Sequence, residues 1–132
     1  MRIEEALYSY LSTYAGLAAL VGTRIYPLVL PQNPTLPAIT YQKVSRAGER
    51  AMSSPSPRVT RSRFQFSCWG TTYGSVKDVA AQLKAALQDY QGLMGGTGGV
   101  TVLDADVANE QDIYEPEAFV YHLPVDVMIY HM

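Results

Sequence analysis

Residues 58–69 read RVTRSRFQFSCW, and polar and apolar side chains alternate along them. In an extended chain, alternate residues point to opposite faces, so Phe64, Phe66 and Cys68 share one face while Arg61 and Arg63 share the other. The stretch therefore predicts a strand from Arg58 to Trp69 that has one face in the core and a positively charged face opposite.

Helical periodicity occurs on both sides of this strand. Apolar residues recur at three- and four-residue spacing from Ile3 to Tyr14, which predicts a first helix broken at Gly16 and followed by a short apolar turn. A second stripe runs from Val76 to Leu87. Ser75 is the predicted start of a capping box for this second helix.

Three further strands are predicted from alternation: Ala38 to Ser45, Val100 to about Ala108, and Phe119 to Ile129. Four prolines between Arg24 and Pro37 predict an extended surface connector that does not pair in the sheet.

The other connections are polar. They are expected to be a long loop at 46–57, a glycine-rich turn at Gly95–Gly99 and an acidic loop from Asn109 to Glu117.

The element order is thus helix, strand, strand, helix, strand, strand. This order predicts a single α+β domain over residues 1–132, with two helices packed on one face of a largely antiparallel four-stranded sheet.

Composition narrows the class of protein. The net charge of −2 argues against binding nucleic acid through bulk charge, and one cysteine among 132 residues excludes an internal disulfide. Acids follow the first residues and no apolar run approaches 18 residues, so neither a signal peptide nor a membrane span is expected. These features predict a soluble protein that is intracellular when made.

Charge is sorted along the chain into two blocks. The basic block holds one acid, Glu49, and six cations: Lys43, Arg46, Arg50, Arg58, Arg61 and Arg63. The acidic block holds no Lys or Arg and six acids: Asp104, Asp106, Glu110, Asp112, Glu115 and Glu117. A small protein with one positive and one negative surface can bind copies of itself head to tail.

No catalytic or metal site is predicted. Cys68 is expected to be a buried thiol and His122 to be exposed on the opposite side, which argues against a nucleophile and base pair. The run Gly95–Gly99 lacks the Gly-Lys-Ser/Thr ending of a phosphate loop. Asp104 and Asp106 lack a converging third ligand for a hard cation, and two histidines are too few for a metal site.

Arg61 and Arg63 allow three interpretations. They could form a solvated strand face, contact phosphate, or pair with the acidic block of a neighbouring subunit. The third accounts for both blocks and is the hypothesis we carry forward. Exposed ion pairs each contribute only about 0.2–1 kcal/mol, so charge would set register and apolar contact would supply most of the affinity.

Three short segments carry a family resemblance: GTRIYP at 22–27, LPAITYQ at 36–42 and WGTTY at 69–73. Together they resemble the tail completion proteins of long-tailed bacteriophages and prophages. The resemblance implies a tail terminator that forms a hexameric ring, caps the tail tube, faces the neck of the capsid and lets DNA pass through its lumen. It implies no catalytic residues.

The expected function is therefore structural, without enzyme activity or cofactor. The expected partners are copies of itself, the major tail tube protein and a neck or head-completion protein, in a virion assembled in the bacterial cytoplasm. The loop at 46–57 would reach the tube or neck. Two alternatives stay open: another neck component such as a head-completion adaptor, or a small binding module whose basic strand holds an acidic ligand.

Overall fold

Three helices and seven strands are formed by residues 2–50 and 58–132, which are the residues that the computed structural model describes. The helices are α1 (Ile3–Thr13), α2 (Ala15–Val21) and α3 (Tyr73–Leu87). The strands are β1 (Ile25–Pro27), β2 (Ala38–Arg50), β3 (Arg58–Gly70), β4 (Gly92–Met94), β5 (Val100–Glu110), β6 (Ile113–Glu115) and β7 (Val120–His131).

All seven strands belong to one mixed sheet in the order β1-β2-β3-β7-β5-β4, with β6 paired to the start of β7. β3 is flanked on both sides by antiparallel partners, β2 and β7. β1 pairs with β2 in parallel, placing Ile25 opposite Ile39. The prediction of a four-stranded sheet with two helices is therefore wrong.

The missed strands are short. β1, β4 and β6 have three residues each, too few to show a period of two in the sequence. β1 also overturns the prediction that the proline-rich connector stays unpaired. Pro27 ends this edge strand, a position where the absent N–H of proline is tolerated.

The predicted loops at 46–57 and 109–117 are also partly strand. β2 continues to Arg50, β5 continues to Glu110, and β6 follows it. The remainder of the first loop, 51–57, lies outside the described residues.

Two local predictions about helices are corrected. The break after α1 falls at Tyr14, which has extended backbone angles, and Gly16 lies inside α2. The cap of α3 is Thr72, whose Oγ1 accepts a hydrogen bond from the backbone N–H of Ser75. Gly22 does end α2, with a positive φ of 60°.

The core lies between the helices and one face of the sheet. The predicted apolar face of β3 is confirmed, since Phe64, Phe66 and Cys68 are fully buried. They pack in one cluster with apolar residues of β7 and the three helices, among them Leu7, Leu17, Leu83, Leu123 and Ile129. The sheet is thereby fixed as a rigid support for the opposite face.

β7 carries both histidines of the chain, one on each face. On the core side, His131 Nε2 lies 2.9 Å from the hydroxyl of buried Ser62, and its Nδ1 lies 3.2 Å from the carbonyl of Met132. A neutral ring that donates from Nδ1 and accepts at Nε2 satisfies both contacts. Burial lowers the pKa of His131, consistent with this neutral form.

His122 lies on the outer face and was wrongly predicted to be exposed. Its ring stacks on Trp69, with centroids 4.0 Å apart and planes 4° apart. Both ring nitrogens are buried without a hydrogen-bond partner among the described residues. Burial lowers the pKa of His122, while Glu115 partly opposes that shift.

We expect the free energy of unfolding to fall as the pH decreases below 6.5. Both folded-state pKa values lie below the ordinary value of 6.5, so the unfolded chain takes up protons first. Protonation then favours unfolding between 6.5 and the lowered pKa values, whereas stability from this source is constant above 6.5. The slope should reach at most about 1.4 kcal/mol per pH unit for each histidine.

Denaturant unfolding measured between pH 7.5 and 5 checks this expectation. A variant with His122→Gln and His131→Gln should have a flatter profile across that window. An equal slope in the variant and the original chain would contradict the assignment.

Candidate assembly surfaces

The outer face of the sheet carries an ion pair within the subunit. Arg63 Nη2 on β3 donates to Asp126 Oδ2 on β7 at 2.7 Å, and Gln65 Nε2 donates to Asp126 Oδ1 at 3.2 Å. The Asp126 side chain is only 14% exposed, whereas that of Arg63 is 37% exposed. Arg63, on the basic face of β3, is therefore paired with an acid of its own subunit.

Asp126 belongs to neither charge block and was not predicted as a site residue. The signal for it was present: Asp126 interrupts the apolar residues Val125 and Val127 of an alternating strand. Which cation it meets depends on the register between β3 and β7, which pairs Gln65 with Asp126. Alternation alone does not specify that register.

The rest of the basic block gathers toward one end of the sheet. Arg46 is exposed on β2, and the register places Arg50 opposite Arg58. We call residues 46–50 of β2 and 58–61 of β3 the hairpin arm. β7 pairs with β3 only as far as Thr60, so the arm ends as a two-stranded extension. Lys43, before the arm, pairs with Glu4 of α1 at 3.2 Å.

Four acids of the acidic block have partners within the subunit. Two of them bind lysines on α3: Glu110 lies 3.0 Å from Lys84 Nζ, and Asp112 lies 2.9 Å from Lys77 Nζ. Asp112 also accepts a hydrogen bond from the hydroxyl of Tyr73, and these contacts lower its pKa. The other two, Asp106 and Asp104, accept hydrogen bonds from the Gln88 side chain and the Ala105 backbone N–H.

Glu115 and Glu117 lie in a different setting: Glu115 ends β6, where it is paired with Val120, and Glu117 lies in the turn between β6 and β7. We call residues 115–120 the acidic turn. With Trp69 it encloses a shallow hollow of about 540 Å³, whose other lining residues are Glu115, Pro116, Glu117, Ala118 and Val120.

Phe119 at the tip of the acidic turn is 73% exposed and has a φ of +54°, which is unfavourable for a bulky residue. The prediction that it starts the apolar face of the last strand is wrong.

The hairpin arm and the acidic turn lie toward opposite ends of the same strand. Arg61 and Trp69 are eight residues apart on β3, a distance of roughly 26 Å at about 3.3 Å per residue. Since β3 is paired on both sides, this separation is rigid. The arm of one subunit therefore cannot reach the acidic turn of the same subunit.

The geometry does not bring together a catalytic pair. Cys68 faces the core opposite Leu123, whereas His122 lies on the other face opposite Trp69. Burial raises the pKa of the Cys68 thiol to about 12, which disfavours the reactive thiolate. Among the described residues, no group of three or more His, Cys, Asp or Glu side chains could hold a metal ion.

The charged surfaces on this sheet are typical of proteins that assemble with other proteins. The chain belongs to the tail completion protein gp17 family, whose model matches residues 5–132. It is a structural virion protein of the phage tail or neck.

The fold agrees with a solved virion component. A chain of the "Virion of native gene transfer agent (GTA) particle" superposes with a TM-score of 0.78 at 18% identity, covering 98% of this chain and 93% of that chain. No curated protein matches the chain by sequence. In residues 2–50 and 58–132, no helix is both long and apolar enough to cross a membrane.

We expect Asp126→Ala to lower the free energy of unfolding by about 1–3 kcal/mol, because it leaves Arg63 and Gln65 without their partly buried acceptor. Asp112→Ala is the matched control: it also removes an ion-paired acid, but an exposed one, and should lower the free energy of unfolding less than Asp126→Ala does. Urea unfolding of both variants measures the difference. Equal losses would contradict a structural role for the Arg63–Asp126 pair.

Proposed function

We propose that this chain forms a ring of six copies that caps the phage tail tube and joins it to the neck. The family and the likeness to a phage-like virion particle support the tail assignment, and the hexamer follows from the resemblance described above. In this proposal the protein acts structurally, without enzyme activity or a cofactor.

The observation that carries the ring proposal is the separation of charge. Residues 1–84 hold ten Lys or Arg and four Asp or Glu, for a net of +6, while residues 85–132 hold eight acids and no Lys or Arg, for a net of −8; together they give −2. Ion pairs to Lys77, Lys84 and Arg63 neutralise part of the acidic half inside the subunit. The hairpin arm and the acidic turn place further basic and acidic residues toward opposite ends of β3.

Opposite charges at two ends of one subunit favour a heterologous contact, in which different surfaces of neighbouring copies meet. Such contacts close into a ring when the rotation per subunit divides a full turn. The contact residues of this proposal are those of the two blocks: Arg46, Arg50, Arg58, Arg61 and Arg63, with Asp104, Asp106, Glu110, Asp112, Glu115 and Glu117.

One face of the ring would bind the tail tube and the other a neck protein, with DNA passing through the lumen without sequence-specific contacts.

Native mass spectrometry over a range of concentrations, with and without tube protein, tests the proposal. We expect monomers at low concentration and six-membered rings at high concentration or on tubes. Raising the salt concentration should shift the balance toward monomers, because the ion pairs are exposed. Electron microscopy should show tubes of limited length when the protein is present. A chain that stays monomeric and leaves tube growth unchanged would refute the ring and the cap.

A further inference from the structure

We propose that the hollow beside Trp69 receives an arginine from the hairpin arm of a second copy, held between the Trp69 ring and the carboxylates of Glu115 and Glu117. This inference rests on the ring proposed above and identifies its contact. It narrows the contact residues proposed above to the hairpin arm and the turn at 115–120, because Arg63, Glu110 and Asp112 already have ion-pair partners in their own subunit.

The side chains around the hollow have the chemistry that binds an arginine. Tryptophan is the aromatic side chain that attracts a cation most strongly, and arginine is the cation most often found against it. In this hollow Trp69 lies beside two acids, and no Lys or Arg follows Lys84 in the sequence. His122 beneath Trp69 stays neutral because burial lowers its pKa, so it does not oppose a cation near neutral pH.

The hairpin arm provides the arginines for this contact. Arg46 is exposed on the arm, and the register opposes Arg50 to Arg58 at its end. The hairpin arm holds four arginines and one acid, Glu49, so it attracts an acidic surface. The roughly 26 Å along β3 keeps the acidic turn of the same copy out of reach of the arm, so an acidic turn that meets the arm belongs to another copy.

Phe119 would add apolar surface to this contact. A large apolar side chain held in water on a turn with positive φ contributes nothing to the core of its own subunit. Backbone conformations of this kind are retained where a contact needs them. Phe119 beside the hollow would add the apolar area that exposed ion pairs lack, while charge would fix which arm enters.

Mixing two variants tests this contact. The arm variant carries Arg46→Glu, Arg50→Glu and Arg58→Glu, and the turn variant carries Glu115→Lys and Glu117→Lys. Alone, each variant brings like charges together at every contact, so we expect its association to be roughly tenfold weaker than that of the original chain. Mixed in equal amounts, they can alternate so that every contact again joins opposite charges.

We therefore expect the mixture to recover rings containing three copies of each variant, identified by mass in native spectra. The matched control carries Glu5→Lys and Asp78→Lys, the same change in charge on exposed acids of α1 and α3. It should form rings alone. The neutral versions, with Gln at the same arm and turn positions, should associate weakly alone and recover less on mixing than the charge-reversed pair, because only every second contact of an alternating ring then joins opposite charges. They also test the contact if a charge-reversed variant fails to fold.

The proposal is overturned if each variant alone forms rings as readily as the original chain, or if the mixture stays dissociated while the original chain forms rings. An arm variant that forms normal rings but no longer binds tubes or DNA would show that the arm serves those partners instead. If the original chain itself forms no rings, the proposed function fails, and this contact fails with it.

Discussion

The rest of the molecule depends on the two-sided pairing of β3. Antiparallel ladders to β2 and β7 hold it straight and in register from the arm to Gly70. One face buries Phe64, Phe66 and Cys68 against the helices, and the other carries polar groups whose positions are fixed to within a residue spacing. A slip of one residue would exchange the two faces, so the apolar face determines where every charge on the outer face lies.

The sequence predicted those parts of the fold that repeat a period several times. The long strands and the apolar stripe of α3 have enough residues for alternation or helical spacing to be recognised, and both were found near their predicted bounds. The three-residue strands and the seven-residue α2 do not, and they exist because longer neighbours offer them hydrogen bonds and an apolar surface. The parallel pairing of β1 with β2 is a tertiary feature of this kind.

The two charge blocks could be recognised from the sequence, but their partners could not. Lys77 and Lys84 are seven residues apart on α3, which is close to two helical turns, so both lie on the side of the helix that meets Asp112 and Glu110. Arg63 meets Asp126 through strand register. These pairs join residues that are distant in sequence. They distinguish the acids of the block that bind lysines of α3 from the acids of the acidic turn.

The difference between acids paired within the subunit and acids in the acidic turn affects assembly. Charges paired within a subunit already have a partner of opposite sign, so a neighbour that competes for them gains little. Charges at the two ends of β3 cannot compensate each other across roughly 26 Å, a distance well beyond the screening length of about 8 Å at physiological ionic strength. The rigid strand thus keeps the arm and the acidic turn of one copy apart, so that a contact between these two surfaces joins different copies. The arrangement fits a heterologous contact, in which the arm of each copy meets the acidic turn of the next. A two-fold pair would join the same two surfaces reciprocally and engage both ends of each copy with one partner, whereas a heterologous contact leaves one end of each copy for the next subunit and so can continue around a ring.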